Sequence, residues 1–291
     1  MSLQARIESA ITEATGESAS LSDSRYAHGG SISDSRVVSL RDGRQVFIKT
    51  LAEAANFPDM YALEYAALKL LSAPDVIRVP RPIAYDDDFI VMEAFNEGTR
   101  KDDWAECMGR QLAQLHQSTQ KDRYGFEQDN YLGISLQKNT WSNNWLAFWR
   151  EQRLGIQLKL FFDKSGKDER LGKLGERLME KLDVYLGEIT EAPVLLHGDL
   201  WSGNAAADEK GEPIIYDPAC YYGHREAEIG MMRLFGGFGP KCESAYEEVW
   251  PLAEGAEERI SLYRLYHELN HLNIFGKSYY QSCISTMESL L

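Results

Sequence analysis

The hydrophobic pattern of this 291-residue chain changes character once, at Asn96-Glu97-Gly98, and that change limits the folds open to it. Before the change, short apolar runs alternate with turn signals. Leu3 to Ala14 has the spacing of a short amphipathic helix. Val37, Val38 and Leu40 precede Asp42-Gly43, and Val46, Phe47 and Ile48 follow, which predicts a hairpin over Arg36 to Lys49. Phe57-Pro58 opens a helical pattern with Leu63, Ala67, Leu70 and Leu71 on one face, closed before Pro74. Ile83 to Phe95 supplies two more short strands around Asp86-Asp87-Asp88. After Gly98, the stretches Asp102 to Gln117, Trp141 to Phe162, Glu169 to Leu186 and Ile260 to Tyr280 have helical period. One β-rich island, Val194 to Asp217, lies among them. The expectation is an α+β chain in two lobes. Residues 1–96 form a small β-rich lobe and residues 97–291 a larger, mostly helical one, with a ligand cleft where they join.

Composition excludes several classes. Lys and Arg number 31 against 45 Asp and Glu, a net charge of −14, which argues against a partner that is nucleic acid. No apolar run approaches the roughly 18 residues of a membrane span, and the polar start, Met1 to Gly16, is no signal peptide. Cys107, Cys220, Cys242 and Cys283 are dispersed and form no C-x-x-C, which fits reduced thiols in a cytoplasmic protein.

The island reads Leu195-Leu196-His197-Gly198-Asp199-Leu200-Trp201-Ser202-Gly203-Asn204. It matches the spacing H-x-D-L-x-x-x-N of a kinase catalytic loop. Four fixed positions at ~5% usage each arise by accident in roughly one chain in a thousand of this length. Phosphoryl transfer needs an acceptor hydroxyl aimed at the γ-phosphorus, and Asp199 is suited to orient it and take its proton. Asn204 and Asp217, the latter after Pro213-Ile214-Ile215-Tyr216, supply hard oxygen ligands for magnesium. Lys49 ends a predicted strand, where a phosphate-binding lysine belongs, and Glu64 lies in the next predicted helix, placed to pair with it. The turn His28-Gly29-Gly30-Ser31-Ile32-Ser33 is a candidate cover for the phosphates of ATP. Glu93, Ala94 and Phe95 fall where the lobes join, with backbone groups for the adenine edge.

These stretches resemble the fructosamine (ketosamine) kinases, within the larger group of aminoglycoside and choline phosphotransferases. The resemblance is carried by His197 to Asn204 and by Tyr216-Asp217-Pro218-Ala219-Cys220-Tyr221-Tyr222-Gly223-His224-Arg225-Glu226-Ala227-Glu228. Arg78 to Pro82, Gln111 to His116, Tyr124 to Phe126 and Leu269 to Gly276 extend it over most of the chain. It implies a protein-kinase-like fold, ATP and Mg2+ as cofactors, and transfer of phosphate to the 3-hydroxyl of a ketosamine. The phosphorylated adduct then releases its amine, so the activity deglycates. The resemblance implies that Trp201 stacks on the sugar–amine adduct, with His224 and Glu226 as further substrate contacts. The partner is a small or protein-bound glycated amine, with no membrane, and the chain is expected to be a monomer. Where relatives often have Asp before an L-A pair, at the position that braces the catalytic loop, this chain has Glu228-Ile229-Gly230. The longer carboxylate is expected to reach the loop differently.

Two alternatives stand beside this reading. One is a kinase of the same fold acting on another hydroxylated amine, of aminoglycoside or choline type. The other rests on His267-Glu268-Leu269-Asn270-His271, which matches the zinc-hydrolase pattern H-E-x-x-H. The extended form of that motif fails, because Gly276 comes five residues after His271 and no histidine follows.

Overall fold

In the computed structural model, which describes residues 1–26, 34–51, 56–166 and 168–291, the chain opens with helix α1, Leu3–Thr15. Ser2 caps it by accepting from the Ala5 N–H, and Gly16 closes it in the left-handed region. The strands β1 (Leu21–Tyr26), β2 (Asp34–Leu40) and β3 (Gln45–Thr50) follow, then helix α2 (Met60–Ser72) and strands β4 (Pro82–Asp86) and β5 (Phe89–Glu93). The five strands form one antiparallel sheet in the order β1-β2-β3-β5-β4. Asp42-Gly43 makes the β2–β3 turn, with the Asp42 carboxylate accepting from the Arg44 N–H. Val38, Leu40, Val46, Ile48, Phe89 and Val91 bury one face of the sheet against Ile7 and Ile11 of α1. Each such buried side chain contributes about 1.5–3 kcal/mol.

The remaining elements are α3 (Trp104–Ser118), the short hairpin β6 (Asn130–Leu132) and β7 (Ser135–Gln137), and α4 (Trp145–Trp149), which runs through a π turn at Arg150–Leu154 into α5 (Gly155–Ser165). Then come α6 (Glu169–Glu180), α7 (Leu182–Leu186), β8 (Val194–Leu196), β9 (Ala205–Ala207), β10 (Pro213–Ile215), β11 (Tyr221–Gly223), α8 (Glu226–Phe235), α9 (Pro240–Val249), α10 (Ala256–Phe275) and α11 (Tyr280–Ser289). Trp145, Phe148, Trp149, Leu178, Tyr263, Leu269 and Met287 centre the helical core. There Trp149 meets Tyr263 edge to face at 4.7 Å.

The chain divides into two compact units, Met1–Met108 with Gly203–Pro218, and Gly109–Ser202 with Ala219–Leu291. This division falls inside α3, whereas the change of pattern placed a boundary after residue 96. The reason is local pairing. The Gly98 N–H donates to Ala207 O at 3.0 Å, and the Trp104 indole donates to Ala206 O at 3.2 Å. The segment after the expected boundary is therefore laid against β9, and the β9–β10 hairpin belongs with the first unit. The expected helix over Glu169 to Leu186 breaks at Lys181, and the one over Trp141 to Phe162 starts at Trp145. No helix of the described residues is long and apolar enough to cross a membrane. Among the described residues no disulfide joins the four cysteines.

Candidate active site

In the first unit, the central strand β3 carries Lys49, buried at 6% exposure opposite Ile90 of β5. Its Nζ donates to Glu64 Oε1 of α2 at 2.6 Å and also to Asp217 Oδ1. Burial alone would pull the ammonium pKa down, but the charges of Asp217 and Glu64 outweigh it and hold Lys49 above the ordinary lysine value. Glu64 bears the cost. Burial pushes its carboxyl above the usual range despite Lys49, and the Asp217 charge adds to the push. Asp217 sits at φ +60°, a left-handed conformation that side-chain-bearing residues adopt at a cost of about 1–3 kcal/mol. That backbone turns its carboxylate to Lys49 at the end of β10. Asn204 lies beside it. The Tyr216 N–H donates to Asn204 O at 3.0 Å, and Asn204 Nδ2 lies 3.5 Å from Asp217 O. Asn204 is thus tied to the backbone that carries Asp217, and an amide oxygen and a carboxylate are donor types that fit a hard divalent cation such as Mg2+.

Of the expected adenine contacts, the Glu93 N–H is taken by Arg81 O at 2.8 Å, and its carboxylate pairs with Arg78 at 2.7 Å. The backbones of Ala94 and Phe95 make no hydrogen bond within the described residues. The Phe95 ring lies 5.8 Å from Tyr216. Gly29 and Gly30 lie outside the described residues.

In the second unit, β8 pairs with β11 and delivers the loop at His197. Glu228 meets this loop end-on. Its carboxylate accepts from the His197 N–H at 2.5 Å and from the Gly198 N–H at 3.1 Å. The longer carboxylate that departed from the pattern of relatives therefore spans two successive amides. Glu228 is itself buried, with the His116 ring 3.9 Å behind it, and His116 is tied to Tyr246 Oη at 2.8 Å. Burial holds the His116 pKa below the ordinary histidine value, although Glu228 pulls it upward. His197 is fully buried, and its Nδ1 accepts from the Asp199 N–H at 3.3 Å. Gly198 adopts φ +81°, and a Cβ there would stand 2.2 Å from Ala219 O, so only glycine passes. Asp199 is partly exposed between the buried Gly198 and Leu200. Trp201 is also partly exposed and meets the Phe235 ring edge to face at 5.4 Å, with His271 beyond at 5.1 Å from Phe235. Phe235 and His271 were not expected in this neighbourhood; the phenylalanine's only sequence signal is the Phe235-Gly236-Gly237-Phe238 run.

His224 and Glu226, expected as substrate contacts, are instead placed in a buried network. Glu226 is 0% exposed and doubly paired with Arg259 at 2.7 and 2.8 Å. His224 is tied to Tyr263 Oη at 2.9 Å and faces Glu191 at 3.3 Å. Burial would raise Glu191, but His224 and Arg225 outweigh it and hold its carboxyl at about 2. The zinc pattern is likewise absorbed into packing. Glu268 is buried between Ser282 at 2.8 Å and Arg264 at 3.2 Å, and His271 Nδ1 is tied to His267 O at 2.8 Å. Burial lowers His267 to about 3. Among the described residues no group of three His, Cys, Asp or Glu is placed to hold a metal ion.

The profile of the fructosamine kinase family matches residues 3–291. A chloroplastic protein-ribulosamine 3-kinase of Oryza sativa subsp. japonica is 41% identical over 270 residues, 90% of this chain and 77% of its own. A solved structure from Thermobifida fusca, assigned by name as a fructosamine-3-kinase, superposes with a TM-score of 0.88 at 30% identity, covering 99% of this chain and 98% of that one. A thermostable mutant of aminoglycoside phosphotransferase APH(4)-Ia shares the fold alone, with a TM-score of 0.62 at 15% identity over 97% of this chain and 98% of its own.

Proposed function

This chain belongs to the fructosamine kinase family, and we propose that it transfers the γ-phosphate of ATP to the 3-hydroxyl of a ketosamine, a step that promotes deglycation. The observation that carries the reading is the braced loop: Glu228 holds the amides of His197 and Gly198 and so presents Asp199. Asp199 orients the acceptor hydroxyl and takes its proton as the hydroxyl oxygen bonds to the γ-phosphorus and ADP leaves. Lys49, braced by Glu64, holds phosphate oxygens. Asn204 and Asp217 would hold Mg2+, which neutralises phosphate charge when bound. Ala94 and Phe95 offer backbone groups to adenine, with residues 1–96 as the nucleotide-binding lobe and 97–291 carrying the substrate site. Trp201, set by Phe235, offers an aromatic face to the sugar–amine adduct and a cation–π partner to its ammonium. His224 and Glu226 act behind this surface by fixing the start of α8 through Arg259 and Tyr263.

The test is phosphate transfer from MgATP to ribulosamine and fructosamine adducts, choline and an aminoglycoside, with the position of the phosphate read by NMR and zinc content measured on the same sample. Turnover of a ketosamine at its 3-hydroxyl supports the reading. Turnover of only another amino-alcohol keeps the chemistry and discards the substrate.

A further inference from the structure

Arg153 is an exception among buried charges. It is 0% exposed, and a buried guanidinium ordinarily carries a carboxylate partner. Among the described residues Arg153 has none. Nη1 donates to Lys138 O at 2.5 Å and Gln152 O at 2.9 Å and Nη2 to Asn139 Oδ1 at 2.8 Å, Nε has no hydrogen-bond partner among the described residues, and the guanidinium plane lies over Tyr221 at 4.0 Å and Phe148 at 4.6 Å. The residue sits in the π turn Arg150–Leu154, an uncommon conformation found often at functional sites. The Gly155 N–H closes that turn on Arg150 O, where a Cβ at Gly155 would stand 2.4 Å from the same oxygen.

What Arg153 does is legible from donor polarity. A guanidinium donates only. Asn139 must therefore turn its oxygen to Arg153, which turns its Nδ2 to Gln128 O at 3.1 Å and to Asn130 Oδ1 at 2.9 Å. Asn130, its oxygen thus committed, turns its Nδ2 to Cys220 O at 2.8 Å. Gln137 donates to that same Asn130 oxygen at 2.9 Å and to Ala219 O at 3.1 Å, while its own oxygen accepts from Tyr266 Oη at 3.0 Å. All three amides are buried. The relay ends on the peptides of Ala219 and Cys220. Ala219 O is the atom that leaves no room for a Cβ at Gly198, and the Ala219 N–H donates to His197 O at 2.8 Å.

We propose that Arg153 is a positioning residue for the loop that carries Asp199: a donor-only anchor that fixes the orientation of Asn139, Asn130 and Gln137 and, through them, the peptides against which His197 and Gly198 pack. The inference rests on the role given to Asp199 above. Glu228 holds the same two loop residues from their N–H groups, and the relay holds the peptide that faces them.

The test compares Arg153→Lys, which still only donates, with Arg153→Gln, which both donates and accepts. The readouts are kcat and KM for MgATP and a ketosamine, thermal unfolding, and hydrogen exchange at the Ala219 N–H. Arg153→Gln is expected to lower kcat about tenfold to a hundredfold with KM for MgATP unchanged and faster exchange at Ala219, as a small misplacement of a reacting group does. Arg153→Lys is expected to recover most of that loss. Equal kcat in the two variants, or wild-type kcat in Arg153→Gln, overturns the inference. Should Arg153→Gln not fold, Gln137→Met removes the donor to Ala219 O and is expected to lower kcat with KM unchanged; wild-type kcat in that variant overturns it equally. A wild-type protein inactive on every ketosamine overturns the functional reading instead, and exchange at Ala219 in Arg153→Gln then decides the relay alone.

Discussion

Lys49 in the first unit and Arg153 in the second are buried cations held in opposite ways. In the first, Lys49 is matched by Glu64 and Asp217, one cation between two carboxylates. In the second, Arg153 is matched by carbonyls, an amide oxygen and ring faces and, among the described residues, by no carboxylate. An ion cluster can trade partners. The phosphate and metal ion proposed for this place bring charges of both signs, so Lys49 and Asp217 could exchange each other for ligand without leaving a charge bare. A neutral relay has no such freedom, because each amide is fixed by the next. The first arrangement suits a place where ligands come and go, and the second a place that must keep one shape through every turnover.

The largest effect is expected of Lys49→Met. It leaves two carboxylates together, with Lys49 and Glu64 side chains only 8% and 14% exposed in the native cluster, and should cost about 3 kcal/mol of stability and abolish turnover. The variant also carries a pH signature. Glu64 already stands above its usual range, and a carboxyl with a raised folded pKa stabilises the fold when protonated and loses that contribution as pH rises through its folded value. Lys49→Met should therefore regain stability as pH falls below neutrality, whereas a purely steric loss would be independent of pH. Urea denaturation across that range separates them.

Gly198→Ala comes next. At φ +81° and 2.2 Å from Ala219 O, an added Cβ must displace the loop or the peptide that the relay holds. The expected outcome is a kcat loss of about a hundredfold with MgATP affinity kept, measured by steady-state kinetics and nucleotide titration. Unchanged kcat would mean that this peptide moves freely.

His267→Gln tests a buried group held neutral. Its pKa is lowered by burial from 6.5 to about 3, so the unfolded chain binds a proton that the folded chain refuses as pH falls below 6.5. That costs about 2 kcal/mol by pH 5. The stability of wild type should fall over this range and that of His267→Gln should fall less; parallel curves would contradict the assignment. The smallest effect belongs to exposed pairs such as Lys159–Asp163, both largely in solvent, where Asp163→Asn should leave Tm unchanged.

Much of this was legible in the sequence because its signals are local. Asp42-Gly43 marks its own turn, and His197 to Asn204 carries its spacing within one loop. What was not legible depends on partners far along the chain. Glu226 reads as a candidate substrate contact, yet it is buried and paired with Arg259, 33 positions on. The π turn at Arg150–Leu154 falls inside a plain helical pattern, and the three-residue strands β6 and β7 are too short for periodicity to show. Glu228 looked like a departure in length. Its reach to two amides is a fact of where α8 starts, which no local pattern reports.

The most direct measurement of the central claim is single-turnover phosphate transfer to a ketosamine by Asp199→Asn beside wild type, with MgATP affinity measured on both. The account predicts that transfer falls by about a thousandfold while MgATP binds as before, because Asp199 acts on the acceptor hydroxyl and not on the nucleotide. Transfer at the wild-type rate, or loss of MgATP binding in step with activity, would contradict it.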